Sequence, residues 1–169
     1  MQAPVTNMET LKMNKETAIK IFPDSPEELK TILIETFGVK CFNIKITDQV
    51  KTFEDALKIV GEPTKNVSIL LDYNGIDQDM LGAQAQVKLS IIARALNQGW
   101  KPNWNDSDER KWYPWFTLAS GFGFSGSNFN FTYLDTSVGS RLCLKSEELA
   151  SYAGTQFLSI YKDLLTLNN

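Results

Sequence analysis

One long amphipathic segment, residues 78–97, limits the architectures open to this chain. Apolar side chains recur along it at intervals of three and four residues, which is the spacing of one face of an α-helix. These positions are Leu81, Ala85, Leu89, Ile92 and Leu96. Asp77 stands where a helix N-cap belongs, and Gly99 follows the last apolar position. Such a helix must bury its stripe against other elements, so residues 78–97 are predicted to be the central core helix.

Residues 1–62 are predicted to be a helical N-terminal segment, formed by short helices with clear start signals. Asn14 and Ser25 are candidate N-caps, and the spacing of Thr52 and Asp55 is that of a capping box. Helices this short are not stable alone and must dock on other elements. The pattern leaves open whether the segment is a separate domain or packs as part of one domain.

Residues 63–169 are predicted to form an α+β core around the central helix. Residues 67–73 fit a strand or an extended loop slightly better than a helix. A small antiparallel β-meander is predicted over 112–144, because aromatic and polar residues alternate at 129–133 as they do in a half-buried strand. A C-terminal helix is predicted over 147–166.

The order of these elements assigns the fold class. Helices come first, then the meander, then a helix, which is the order of an α+β protein. Strands of the meander are expected at 115–119, 129–133 and 137–144, and Ser146 is expected to cap the last helix. The predicted fold is therefore α+β, with a helical N-terminal half, a long central helix, a small antiparallel β-meander and a C-terminal helix.

The sequence contains no histidine, which excludes several common catalytic classes. Nucleophile activation by Ser-His-Asp or Cys-His pairs requires imidazole, and so do zinc sites of the HExxH type. Cys41 and Cys143 are the only cysteines and are interpreted as reduced, mostly buried thiols. The sequence therefore predicts no catalytic residue set, no metal site and no cofactor, and an enzyme is the less favoured class.

Three short motifs have plainer structural interpretations. Residues 121–126 match the G-x-G-x-x-G pattern of dinucleotide sites, but a strand pattern follows where a helix is required, so a tight hairpin is favoured. Residues 72–79 resemble a calcium loop but lack its glycine and its terminal glutamate, which favours a turn and a helix cap. The acidic group at 105–109 is interpreted as a solvated loop, with metal binding or a catalytic carboxylate pair as the alternative.

The chain can be divided by charge into residues 1–85, 86–145 and 146–169. Basic side chains outnumber acidic ones only in the middle part, although the net charge of the whole chain is −3. The same region holds all four tryptophans. Flat side chains stack on bases and sugars, and nearby cations can contact phosphates. The candidate binding residues are Trp100, Trp104, Arg110, Lys111, Trp112, Trp115, Phe122, Phe124 and Arg141. Core packing of the same aromatic residues is the alternative interpretation.

Five segments together are similar to those of a known group of proteins. They are TFEDA (52–56), ALNQGWKPNWND (95–106), YPWF (113–116), VGSRLCLKS (138–146) and ELASYAGTQF (148–157). They resemble a family of small proteins from bacteriophages and prophage-like elements of gut bacteria, for which no activity is established. The resemblance covers most of the chain and implies a mobile-element context, but it assigns no role to any residue.

The leading functional prediction is a non-enzymatic accessory protein that binds nucleic acid or another protein through the aromatic, mildly basic region. One alternative is a phage structural or oligomeric interaction protein. The other is a carboxylate-based enzyme that acts on a carbohydrate-like substrate through Asp106, Asp108 or Glu109. The N-terminus lacks the pattern of a signal peptide and no apolar run is long enough to span a bilayer, so a cytoplasmic protein without membrane contact is expected.

Overall fold

The computed structural model describes the backbone of residues 13–118 and 124–167, and the side chains of residues 13–117 and 129–167. These residues belong to two compact units that divide between Lys45 and Ile46. The first unit is helical, and the second combines helices with a small antiparallel sheet. The predicted α+β class is confirmed.

The first unit consists, over residues 13–45, of two helices and two turns of 3₁₀-helix. They are α1 (Lys15–Ile21), a 3₁₀ turn (Phe22–Asp24), α2 (Glu27–Phe37) and a second 3₁₀ turn (Val39–Phe42). Asn14 caps α1 as predicted, because its Oδ1 accepts a hydrogen bond from the Thr17 N–H at 2.8 Å. The prediction that Ser25 caps α2 is wrong. Pro26 occupies the cap position, and the Ser25 hydroxyl instead donates to the Ile21 carbonyl at 2.8 Å.

The second unit carries the other described helices and both described strands. In chain order these are α3 (Ile46–Gln49), α4 (Phe53–Val60), α5 (Lys65–Leu71), α6 (Gln78–Asn97), β1 (Lys111–Leu118), β2 (Phe124–Thr132), α7 (Gly139–Leu142), α8 (Glu147–Gln156) and α9 (Leu158–Leu165). Thr52 and Asp55 form the predicted capping box at the start of α4, and Ser146 caps α8 as predicted. The single C-terminal helix predicted over 147–166 is instead two helices, α8 and α9, which meet at Phe157.

Helix α6 is the centre of the second unit, and its bounds are those predicted from its apolar stripe. Asp77 caps it by accepting a hydrogen bond from the Met80 N–H at 3.0 Å. Helices α4, α5, α7 and α9 pack against it. The buried core includes Leu89, Ile92, Leu96, Leu142, Leu144, Leu149, Ala153, Phe157 and Tyr161. The last turns of α6 bury most of their side chains in this core and leave Arg94 exposed.

Residues 65–71 form helix α5, so the strand or extended loop predicted at 67–73 is wrong. A side chain from α6 fixes the end of this helix. The amide nitrogen Nε2 of Gln84 lies 3.2, 2.9 and 2.9 Å from the carbonyl oxygens of Leu70, Leu71 and Tyr73. The last carbonyls of a helix lack partners within the helix, so this tertiary contact adds to the local hydrogen bonds that the N–H groups of Asp72 and Tyr73 make at the end of α5.

The sheet of the described residues has two antiparallel strands, β1 and β2, in which Trp112 lies opposite Phe131. Helix α8 packs against both strands, and the rings of Trp112 and Phe129 contact the core. The third strand predicted at 137–144 is wrong. Helix α7 occupies part of that range, and there only Leu144 joins the sheet, through two backbone hydrogen bonds with Trp112 at 2.7 and 3.0 Å.

Two of the sequence motifs lie at the starts of α6 and β2. Residues 72–79 form a turn that leads into the capped end of α6, as predicted. In the segment 121–126, residues 124–126 belong to β2, while 121–123 lie outside the described residues, so the predicted hairpin stays a prediction. Along the described parts of the chain, no helix combines the length and the apolar character needed to cross a membrane.

Candidate binding groove

An open groove of about 990 Å³ crosses the second unit beside α6; it is called the binding groove below. Its lining comes from the connection between α4 and α5, the second half of α6, residues 100–102 and the start of α7. Apolar side chains that line it include Val60, Pro63, Val67, Val87, Ile91 and Pro102. Ligand sites in proteins are commonly about 300–1,000 Å³ and mostly apolar with a few polar groups, so the groove is large enough for a ligand.

Positive charge dominates the binding groove. Arg94, Lys101 and Arg141 are exposed and line it, whereas Glu62 is the only acidic side chain among its described lining residues. None of the three cationic side chains makes an ion pair or a hydrogen bond with another residue that the structure describes. A cleft with an excess of one charge sign concentrates ligands of the opposite sign. The groove therefore favours an anionic ligand, although the chain as a whole carries a net charge of −3.

Asn97 holds the end of α6 to the segment that follows α7, and thereby sets where Arg94 and Arg141 lie. Its side chain is buried. Its Nδ2 donates to the Cys143 carbonyl at 2.8 Å, and its Oδ1 accepts from the Lys145 N–H at 3.0 Å. Because the amide satisfies one backbone acceptor and one backbone donor, it joins two distant parts of the chain without leaving a buried polar atom unpaired.

Trp100 is half-buried and lines the binding groove, and the polar atom of its indole is already engaged. The indole Nε1 donates to Glu109 Oε1 at 3.0 Å, and the other carboxylate oxygen, Oε2, accepts from the Asn103 N–H at 2.7 Å. The same Oε2 lies 3.3 Å from Lys111 Nζ. With Nε1 engaged, the rest of the half-buried indole is carbon surface.

Lys111 is fully buried, which corrects its prediction as a surface cation. Its Nζ donates to the carbonyl oxygens of Asp106 and Glu109 at 3.1 and 2.8 Å, and it lies 5.5 Å from the centre of the Trp104 ring. Burial alone would raise the pKa of Glu109. Hydrogen bonds from the Asn103 N–H, Lys111 and Trp100 outweigh that effect and lower the pKa below its ordinary value. The pair of Lys111 and Glu109 thus holds the loop after α6.

Trp104 is not among the lining residues of the groove, but it contacts one of them. Its Nε1 donates to the hydroxyl oxygen of Ser140 at 2.7 Å, and Ser140 is a lining residue beside Arg141. The two tryptophans of the loop therefore have different places. Trp100 lines the groove, and Trp104 joins the loop to the start of α7.

Of the remaining candidate residues, Arg110, Trp112 and Trp115 are described with their side chains, and none of the three lines the groove. Arg110 lies over the rings of Phe131 and Trp112, 4.6 and 5.7 Å from their centres, and its Nε donates to the Tyr133 hydroxyl at 3.2 Å. Trp112 is half-buried against the core, whereas Trp115 on β1 is 51% exposed. Phe124 begins β2 but its side chain is not described, and Phe122 lies outside the described residues.

Two groove residues, Arg94 and Lys101, were not predicted from the sequence. Arg94 interrupts a run of buried positions in the last turns of α6, and a cation in such a place is a signal that could have identified it. Lys101 directly follows Trp100 and lies in the same aromatic, basic stretch. The sequence does not indicate that Arg94 and Lys101 share a groove with Arg141, because only folding brings α7 beside α6.

The carboxylates of Asp106 and Glu109 accept hydrogen bonds from backbone N–H groups of their own loop. Asp106 Oδ1 accepts from the N–H groups of Asp108 and Glu109 at 2.8 and 3.2 Å, and Glu109 is engaged as described above. Within the described residues no three His, Cys, Asp or Glu side chains are grouped so that they could hold a metal ion. Burial raises the pKa of Cys143 to about 11, so its thiol stays protonated near neutral pH and is a poor nucleophile.

No protein-family model matches this chain, and no curated protein and no solved structure is significantly similar to it.

Proposed function

We propose that this protein is a non-enzymatic binding protein that holds an anionic partner in the binding groove. Three exposed cations line one groove, none of them makes an ion pair with another described residue, and a single carboxylate lies in the same lining; these observations carry the proposal. Arginine is suited to such a role because its planar guanidinium donates two parallel hydrogen bonds to a carboxylate or a phosphate. Arg94 supplies this group from α6 and Arg141 from α7, and Asn97 joins α6 to the segment that directly follows α7.

The groove is also built to keep its shape before a ligand arrives. The loop between α6 and β1 is fixed by hydrogen bonds to Glu109 and from Lys111, and the start of α7 is fixed by the contact between Trp104 and Ser140. A site that is already ordered loses less conformational freedom on binding, which favours affinity. These contacts support a recognition role for the groove.

The mobile-element context is part of the same proposal. Two of the segments that resemble phage and prophage proteins, residues 95–106 and 138–146, supply Trp100, Lys101 and Arg141 to the groove. An accessory protein that acts in the bacterial cytoplasm fits the two reduced thiols expected from the sequence. Induction of the element should then raise the level of the protein, which quantitative proteomics would measure.

Binding of polyphosphate, an anionic polymer without aromatic groups, tests the electrostatic part of the proposal. We expect binding at about 50 mM salt that weakens steeply at higher salt. Arg94→Gln and Arg141→Gln should each weaken it roughly two- to fivefold, and the double variant should weaken it further. Lys162→Gln removes an exposed cation of α9 that does not line the groove and is the matched control. Equal losses in Lys162→Gln and in the arginine variants would contradict the proposal.

A further inference from the structure

The binding groove holds two features that a site for a simple anion does not need. One is Trp100, and the other is the apolar part of the lining, which includes Val60, Pro63, Val67, Val87 and Ile91. Phosphate or sulfate alone would gain nothing from either. Building on the proposed function, we infer that the anionic partner is single-stranded nucleic acid, with one base against Trp100 and phosphates at Arg94, Lys101 and Arg141.

The alternation of charge and flat surface favours this ligand class. A single strand carries one phosphate per nucleotide, and each phosphate is followed by a base with an exposed aromatic face. Lys101 directly follows Trp100 in the chain, and Arg94 and Arg141 line the same groove. An acidic peptide would satisfy the cations but would leave the indole face without a stacking partner.

The fixed orientation of Trp100 supports stacking. Its Nε1 is bound to Glu109, whose other oxygen is held by the Asn103 N–H and Lys111. The ring therefore cannot turn its N–H toward a ligand without breaking that bond. A base that stacks on a ring surface is accepted whatever its identity, so binding should show little sequence preference.

Single strands are favoured over duplexes for two reasons. The faces of paired bases are covered by their neighbours in a duplex, and only an unstacked base can reach an aromatic ring. The groove also supplies three cations, fewer than the six to ten phosphate contacts of a strongly salt-dependent duplex-binding protein, so roughly three phosphates can be neutralised. For a single strand the slope of log affinity against log salt should then be about −2.

The test compares four labelled probes by equilibrium binding to the full chain at low salt. They are an oligothymidylate of about twelve nucleotides, an abasic strand of the same length and charge, a duplex of the same length and a polyglutamate peptide. The length of about twelve nucleotides lies within the usual range of single-strand site sizes. We expect the oligothymidylate to bind about tenfold or more tightly than the abasic strand, because stacking supplies that difference. Arg141→Gln should reduce the salt slope by about 0.7.

Two substitutions connect the effect to the proposed base contact. Trp100→Ala should weaken oligothymidylate binding about tenfold while it leaves binding of the abasic strand unchanged. Oligothymidylate should quench the tryptophan fluorescence of the wild type but not that of Trp100→Phe. Trp115→Phe is the control, because it removes an exposed indole of β1 and should leave the quenching in place. If Trp100→Ala disturbs the loop and weakens both probes, the quenching in Trp100→Phe decides, since the phenyl ring fills most of the same space.

The outcomes separate the two proposals. Equal, charge-dependent binding of the abasic strand and oligothymidylate would overturn the nucleic-acid inference and leave the anion-binding function standing. Tighter binding of polyglutamate would overturn it in favour of an acidic protein partner, and tighter binding of the duplex would overturn the single-strand assignment. Binding that is insensitive to Arg94→Gln and Arg141→Gln with every probe would overturn both.

Discussion

The carboxylate of Glu109 accepts a hydrogen bond from the indole Nε1 of Trp100 at 3.0 Å. The same carboxylate is the charge partner of the fully buried Lys111, 3.3 Å away. One side chain therefore orients the groove tryptophan and neutralises a buried cation. The sequence predicted a solvated loop at 105–109, with metal binding or a catalytic carboxylate pair as the alternative, and Glu109 of this loop contacts the groove residue Trp100.

Removal of Glu109 should destabilise the second unit strongly. Glu109→Ala leaves the ammonium of Lys111 buried without its counter-charge and the Trp100 N–H unpaired, which should cost about 3 kcal/mol in free energy of unfolding. Urea denaturation followed by circular dichroism would measure the loss. Asp108→Ala is the control, because this exposed carboxylate lies in the same loop and should change stability by no more than about 0.5 kcal/mol. Equal losses of stability in the two variants would show that the contacts of Glu109 do not stabilise the loop.

Stability should fall in acid partly because of Glu109. Its pKa is lowered in the folded state from an ordinary value of 4.5, so its contribution is fully present above about pH 4.5 and is lost as the pH falls through the folded-state pKa. Urea midpoints measured between about pH 6 and pH 3 should decline less steeply for Glu109→Gln than for the wild type. The pKa of Asp55 is lowered as well, so some decline should remain in the variant. Identical slopes would argue against the carboxylate contacts of Glu109.

Loss of the Asn97 amide should separate α6 from the segment after α7. Asn97→Ala removes the partners of the Cys143 carbonyl and the Lys145 N–H, and the two unpaired groups should cost about 2–3 kcal/mol. For a chain of this size that corresponds to a fall in Tm of about 4–12 °C. Asn105→Ala, at an exposed asparagine of the loop, should leave Tm nearly unchanged. Differential scanning calorimetry would distinguish the two variants.

Replacement of Gly82 by alanine should stabilise the protein, because Gly82 lies inside α6 and its backbone does not have the positive φ that favours glycine. A Cβ there would meet only the Asp163 carbonyl oxygen, at an ordinary distance of 4.0 Å. Gly82→Ala should raise the free energy of unfolding by about 0.5–1 kcal/mol, since alanine has the higher helix propensity. Gly75→Ala is a contrasting variant. Its Cβ would collide with the Tyr73 ring, whose hydroxyl oxygen accepts from the Asp77 N–H, so this change should destabilise the start of α6.

Local signals were sufficient for much of the helical structure. The bounds of α6 follow from its own apolar period, and the caps at Asn14, Asp77 and Ser146 act on N–H groups only three residues away. Signals of such short range can be identified in the sequence without knowledge of the fold. At α5 they failed, because part of what holds its end is the side chain of Gln84, which comes from another helix.

The α+β class, the central helix and the region in which aromatic and basic residues gather could all be predicted from local sequence patterns. Which of those residues share a surface could not be predicted in this way. The tertiary structure places Arg94 and Arg141 with Trp100 in the lining of one groove. It also buries Lys111 beside the carboxylate of Glu109. Helix periods and caps depend on residues within about one turn of each other, whereas a groove and a buried charge depend on packing between segments that are distant in the chain.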